Sequence, residues 1–368
     1  MQFSATATID GNALRHNLAT IRSRRPESPI MAMVKANAYG HGLVDVARYL
    51  EAADSLAVAR LSEAAALRSA GESRPLVLLE GVFTGADLAA AAELKCELVV
   101  HNPMQVSLLS DYAGQYRFAV WLKIDSGMHR LGFSSDTWAD HYQRLADLAS
   151  VRDVRLMTHY ASADDPADAQ STQQLQFMQQ LMSTFDGPIS LANSPALFRD
   201  DQDLCGLAGR DAHRVWLRPG IALYGLSPFE SVDADALDLK PVMNFDARLI
   251  SVQSIRPGDK VGYGGRFVAA RDTCIGVVAA GYGDGYPRAM PDGTPVLVDG
   301  QRASIAGRVS MDMLTVDITD LPSARVGSEV RLWGAGLPAE LIAAFADTIS
   351  YELVTRVAAR VRRQFVTA

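Results

Sequence analysis

The sequence predicts an α/β protein in which a (β/α)8 barrel over residues 12–232 is followed by a mainly-β domain over residues 233–368. Three observations carry that reading. At 368 residues the chain exceeds the length at which a single hydrophobic core usually stops growing. Up to about residue 230, short apolar runs alternate with longer amphipathic or Ala/Leu-rich stretches, the pattern of βα units around a parallel sheet. Beyond about residue 235 the texture changes to β-like segments punctuated by Pro/Gly turns.

In chain order, the apolar runs at 30–34, 55–59, 76–79, 97–100, 118–124, 154–158, 189–192 and 215–217 read as strands. Helix candidates at 43–53, 62–69, 86–94, 104–112, 137–149 and 169–185 lie between them. Eight such units in roughly 220 residues suit a closed barrel better than an open doubly wound sheet. No G-x-G-x-x-G turn follows a first strand, which weakens a dinucleotide-binding alternative. The polar stretch Ser231-Val232-Asp233-Ala234-Asp235 marks the junction. After it, 247–254, 274–279, 294–298, 313–318 and 329–332 read as strands, and only 339–346 reads as a helix. Pro257-Gly258, Pro291-Asp292-Gly293 and Asp299-Gly300 supply the turns. Residues 1–11 are left free to pack on this second domain. There is no internal repeat, low-complexity tract or long linker.

Composition narrows the function. Hydrophobic content of 48% and charged content of 21% describe an ordinary soluble globular protein. A net charge of −7 argues against nucleic acid as a partner, since phosphate recognition leans on Lys and Arg. One basic cluster, Arg356, Arg360, Arg362 and Arg363, reads as a solvated or interface face. Three distant cysteines, Cys96, Cys205 and Cys274, have no CxxC pair. They argue against a disulfide framework and a zinc site, and no metal is expected. Met1 to Leu14 lacks a basic segment followed by an apolar one, and no apolar run approaches a membrane span, so a cytoplasmic protein without membrane contact is expected.

The candidate chemistry follows the strands. Residues 35–42 read Lys35-Ala36-Asn37-Ala38-Tyr39-Gly40-His41-Gly42 directly after the first apolar run. A lysine where a buried strand ends is costly unless it pairs or reacts, because desolvation disfavours its charge. A lysine shifted that way is what imine chemistry with a carbonyl or pyridoxal cofactor requires. The fifth strand carries Lys123 and runs into Asp125-Ser126-Gly127-Met128-His129-Arg130. The sixth ends at His159, the seventh at Asn193-Ser194, the eighth at Arg218-Pro219-Gly220. A barrel places its active site at the C-terminal ends of its strands, so five strands deliver polar or reactive groups to one face. Phosphate sites in such barrels use the loops after strands seven and eight, here Ser194 before Pro195, and Gly220-Ile221. Asn193-Ser194-Pro195 also reads as a simple helix cap. Arg218 can donate a hydrogen bond but not a proton, and a pyridine nitrogen facing it stays unprotonated.

KANAYGHG, together with KIDSGMHRLGF, RPGIALYG and VGYGG in that order, resembles the alanine racemases, fold-type III pyridoxal-phosphate enzymes, over nearly the whole chain. The resemblance implies that Lys35 carries pyridoxal 5′-phosphate and that Tyr39 contacts its phosphate. It implies that Lys123 is the lysine often carbamylated in the family and that Arg130 touches substrate and cofactor oxygens. His159, Asn193, Ser194 and Arg218 match ring-stacking and phosphate or pyridine contacts. Tyr263 matches the second catalytic base, Met311 and Asp312 lie near the substrate carboxylate, and Tyr351 matches an inner-gate tyrosine that also contacts phosphate. Tyr282, Arg288 and Arg308 match the lining of the access corridor. Gly283 stands where alanine is commoner, and Ser310 where many members have cysteine.

Racemisation explains the set. A proton leaves one face of Cα and another returns to the opposite face, so two acid/base groups are needed, each tuned toward neutrality. Lys35 serves one face, and Tyr263 the other once nearby cations lower its pKa from about 10. The resemblance implies L- and D-alanine as substrates, for peptidoglycan supply or D-alanine breakdown, and a homodimer whose sites are shared between subunits. Rival readings are a broad-specificity or serine-directed racemase, a basic amino-acid decarboxylase, and a non-catalytic pyridoxal-phosphate carrier. Arg218 in place of an acid speaks against the decarboxylase, and the added β domain against the carrier.

Overall fold

The structure, a computed structural model, describes residues 3–183, 185–206 and 211–367. Strand β1 (Thr6–Asp10) leads into helix α1 (Gly11–Arg24), started by the Asp10 side chain, which accepts from Asn12 N and Ala13 N. The barrel strands follow: β2 (Met31–Met33), β3 (Ser55–Val58), β4 (Leu76–Leu78), β5 (Cys96–Val100), β6 (Phe118–Lys123), β7 (Val151–Met157) and β8 (Ile189–Ser190). They pair in parallel in sequence order. Both faces of this sheet are covered, so every residue of β2 to β6 is buried and the strands read as apolar runs rather than alternating ones.

The expected eighth strand is present only as two bridges, Ile189 to Val215 and Ile30 to Leu217. They close the ring: Met31 N donates to Leu217 O and Leu217 N to Pro29 O, both at 2.8 Å. Pro219 has no N–H to continue the ladder, and Arg218 N turns instead to Ala192 O at 3.0 Å.

The second domain contains β9 (Met243–Ile255), β10 (Lys260–Val261), β11 (Phe267–Val268), β12 (Thr273–Val278), β13 (Pro295–Val298), β14 (Gln301–Ile305), β15 (Leu314–Asp317), β16 (Glu329–Trp333) and β17 (Arg362–Val366). Strand β9 pairs with β16 along its first half and β12 along its second, closing the ring β12-β15-β14-β13-β16-β9. β1 pairs with β9 antiparallel and with β17 in parallel, so residues 6–10 lie on this domain. A small separate hairpin, β10 with β11, holds Tyr263 in its loop. The single helix expected here is accompanied by a second: Ala339–Phe345 and Ser350–Thr355. Tyr351, Val354 and Thr355 disfavour that helix locally, but Leu353 and Val354 are fully buried, and packing overrides propensity. Among the described residues no helix is long and apolar enough to cross a membrane.

Candidate active site

Lys35 follows β2 at the mouth of the barrel, and the chain then does something unusual. Ala36, Asn37, Ala38 and Tyr39 all have φ between 51° and 55°, a left-handed turn of four non-glycine residues. Each such residue costs about 1–2 kcal/mol, and strain of this kind persists only where surroundings over-determine it. The turn delivers Tyr39 into the mouth, buried, its ring stacked on Tyr224 at 4.8 Å and tilted against Tyr351 at 6.2 Å. Burial raises the pKa of all three phenols, so they remain protonated donors.

The Tyr39 hydroxyl meets the loop after the eighth segment. A Cβ on Gly220 would lie 2.5 Å from it, so only glycine fits this approach. Ser194 Oγ reaches the same place, accepting from Gly220 N at 2.8 Å and Ala222 N at 3.4 Å. Ile221 opens the short 3-10 turn Ile221–Tyr224 beside it. Asn193 and Ser194 thus divide two tasks: Asn193 Oδ1 caps the helix Ser194–Phe198 through Ala196 N, and Ser194 turns toward Gly220.

Arg218 is buried and, among the described residues, has no carboxylate partner. It donates to Ser190 Oγ (2.6 Å), Thr158 O (2.6 Å), Leu191 O (3.1 Å) and His159 Nδ1 (3.3 Å). Since Nδ1 accepts, His159 is the neutral Nε2–H tautomer, and burial with the neighbouring Arg218 holds its pKa well below the usual value. Burial and Arg130 likewise lower the pKa of Lys35, opposed by Glu80 and Glu63. Lys123, on β6, is pushed down to about 7 by burial and then by Arg218, Arg130 and Lys35. The Asp125 carboxylate is occupied by Gly127 N, His129 N and the His129 ring, and among the described residues Lys123 makes no ion pair. A chain of net charge −7 therefore concentrates Lys35, Lys123, Arg130 and Arg218 in one mouth, a field that favours an anionic guest.

Among the described residues, no hydrogen bond or ion pair joins the remaining candidates to this cluster. Tyr263 is 72% exposed, and its hydroxyl makes no hydrogen bond among the described residues. Its loop neighbours Arg308, whose backbone lies 3.7 Å from the Cβ position of Gly262. Tyr282 N and Gly283 N donate to Ser310 O (3.0 Å) and Met311 O (2.8 Å), which places Tyr282, Met311 and Asp312 on one exposed ledge. Arg288 is exposed nearby in sequence. Gly283 leaves room for Arg360, which bridges Asp284 (2.8 Å) and Asp312 (2.7 Å); a Cβ there would come within 2.7 Å of its guanidinium. The basic cluster is thus no uniform solvated face: Arg360 ties two aspartates, and Arg363 is turned inward. Sequence reasoning also missed Tyr224, whose hydroxyl donates to Met33 O at 2.9 Å, and Glu63, which holds Asn37 N at 3.2 Å. RPGIALYG contains Tyr224, and that was the available signal.

A parallel barrel whose mouth presents a desolvated lysine, further cations and a hydroxyl-lined cradle, joined to a second β domain, defines a class of two-domain α/β protein with a site suited to an anionic guest. Residues 9–228 match the family described as alanine racemase, N-terminal domain, and residues 242–365 match alanine racemase, C-terminal domain. The chain belongs to the alanine racemase family. It is 46% identical to an alanine racemase of Chromohalobacter salexigens, covering 98% of both chains, and 44% identical to that of Vibrio atlanticus, covering 99% of both. Its fold superposes on the biosynthetic alanine racemase of Pseudomonas aeruginosa with a TM-score of 0.92 at 43% identity, covering 99% of this chain and 100% of that one.

Proposed function

We propose that this chain interconverts L- and D-alanine, with pyridoxal 5′-phosphate held at the barrel mouth and one proton-transfer group on each face of the substrate. The observation that carries the reading is the cation cluster around Lys35, in which the buried Arg218 is held, among the described residues, by neutral acceptors. The hydroxyl cradle fits the cofactor's phosphate: Tyr39, Ser194, Gly220, Ile221 and Tyr351 would hold it, with Asn193 fixing the helix behind Ser194. When bound, the cofactor supplies an aldehyde for an imine and a ring that delocalises the electrons left on Cα.

The protein's own groups do the rest. Lys35, its ammonium disfavoured by burial, is available as an amine and as the acid/base on one face. Arg218 would face the pyridine nitrogen of a bound cofactor, able to donate a hydrogen bond to it but not a proton, which would temper the electron sink and favour return of the proton over side reactions. His159, held neutral by burial and by Arg218, would lie against the cofactor ring. Arg130 takes an oxygen of substrate or cofactor. Lys123, half neutral near pH 7, is suited to carry a carbamate that holds Arg130 through charge-assisted hydrogen bonds. Tyr263 acts on the other face from a second copy of the chain. What supports this is that Tyr263, Tyr282 and Met311, at 72%, 39% and 54% exposed, lie uncovered in one protomer. In such a homodimer Met311 and Asp312 border the substrate carboxylate, and Tyr282, Arg288 and Arg308 line the way in.

The test is borohydride reduction of protein saturated with pyridoxal phosphate, followed by peptide mapping, alongside circular dichroism of incubated L-alanine. A pyridoxyl group on Lys35 and decay of the L-alanine signal to zero are expected. A label on Lys123, or a signal that L-alanine keeps, would overturn the reading; decay of L-serine at an equal rate would replace it with a broad-specificity racemase.

A further inference from the structure

The left-handed turn after Lys35 needs anchors, and one comes from far along the chain. Inside the barrel, Ala38 N donates to Val34 O (2.8 Å), Asn37 N to Glu63 Oε1 (3.2 Å), and Leu43 N to Asn37 Oδ1 (3.0 Å). His41 Nδ1 donates to Tyr39 O at 2.8 Å. From the second domain, Arg363 Nε donates to Gly40 O at 2.7 Å. The other Arg363 donors go to Val357 O (2.8 Å), Val361 O (3.1 Å) and Ala358 O (3.2 Å), so the guanidinium has four carbonyl acceptors and, among the described residues, no carboxylate partner. A planar fork so occupied has one orientation.

The same region seats the turn by contact. A Cβ on Gly40, at φ +82°, would fall 2.0 Å from Val354 O, in the helix that carries Tyr351. Phe365, two residues beyond Arg363 on the same face of β17, comes within 3.3 Å of the Cβ position of Gly42 and stacks on Tyr49. Strand β17 pairs with β1, and β1 with β9, which belongs to the ring of the domain that carries Tyr263.

We propose that Arg363 is a positioning residue, a latch from the second domain that holds the Lys35–Gly42 turn in the left-handed conformation aiming Lys35 and Tyr39 into the barrel mouth. It acts through the turn and touches neither cofactor nor substrate. The cofactor side of this inference rests on the pyridoxal-phosphate reading above; the conformational side does not.

The test uses the full chain as Arg363→Ala and as Arg363→Lys, which keeps the charge and apolar stem but loses the fork. Without cofactor, amide exchange at Ala38, Gly40, His41 and Gly42 should quicken about tenfold or more in Arg363→Ala while β4 to β6 stay at wild-type rates. The dissociation constant for pyridoxal phosphate should rise roughly ten- to a hundredfold, the scale of one lost charge-assisted hydrogen bond. The visible circular dichroism of the saturated protein should change as the cofactor is held differently, with Arg363→Lys between the two. A merely structural arginine would lower the melting temperature and leave both cofactor readouts of the folded protein unmoved, which would overturn the latch. Should Arg363→Ala fail to fold, Arg363→Lys decides: wild-type exchange and affinity in it refute the proposal. If the wild type takes up no pyridoxal phosphate, the functional reading falls, and the exchange data still decide the latch.

Discussion

Depriving the protein of dissolved carbon dioxide should weaken its activity, and the size of the effect follows from Lys123. A carbamate forms only from the neutral amine, with loss of one proton per carbon dioxide bound. At about pH 7.5 an ordinary lysine is neutral roughly one time in a thousand. Lys123, pushed down to about 7, is neutral roughly three times in four, a gain of about 700-fold. Lowering the pH to about 6 cuts that share about eightfold, and the released proton opposes the product by about thirtyfold more. The carbon dioxide needed for half-occupancy should therefore rise about 250-fold across that interval. Losing the carbamate removes an anion from beside Arg130. Because Arg130 is exposed, the loss is discounted to about 1 kcal/mol, or roughly fivefold in the alanine KM. The assay is racemisation by protein stripped at about pH 6 under inert gas, returned to about pH 7.5 with and without bicarbonate. Recovery with bicarbonate in the wild type and none in Lys123→Ala is expected, with label from isotopic bicarbonate on Lys123. A bicarbonate response that survives in Lys123→Ala would refute the reasoning.

Two further outcomes are expected. Lys35→Ala and Tyr263→Phe should each lose at least about a hundredfold in kcat, and mixing them under subunit exchange should restore activity, because one site of each heterodimer has both groups. Heterodimers confirmed by mass spectrometry that stay as inactive as the parents would mean that Tyr263 serves its own chain. For His41, burial pushes the pKa down to about 4 from 6.5. A depressed histidine stabilises the fold above its unfolded pKa, and that contribution is lost as pH falls from about 6.5 toward 4. The loss amounts to about 3 kcal/mol. Urea midpoints of wild type and His41→Gln should converge over that window; parallel curves would count against a neutral buried His41.

The barrel was legible because its strands are buried on both faces, so that Phe118–Lys123 stands out as an unbroken apolar run. The mouth was legible for the same reason: Lys35, Lys123, His159 and Arg218 each sit at or just beyond the end of such a run. What escaped is conformation imposed from outside. Lys35-Ala36-Asn37-Ala38 has the composition of an ordinary right-handed helix, and the anchors of the left-handed turn include contacts distant in sequence, from Glu63 and Arg363, that no local pattern shows. Arg362 and Arg363 are alike in sequence, yet alternation along β17 turns one to solvent and the other to Gly40. The two-residue strands β10 and β11 are too short to show any period.

The pairing of β1 between β9 and β17 has a consequence for synthesis on the ribosome. Residues 6–10 emerge ahead of the barrel, yet their antiparallel partner begins at Met243 and their parallel partner at Arg362. The barrel is in effect inserted into the domain that receives both its flanking strands. Its strands can pair as they appear, but the turn after Lys35 waits unfastened until Arg363 has been made. A nascent barrel is therefore folded in outline before its lysine is aimed, and the reactive amine is put in place among the last events of folding.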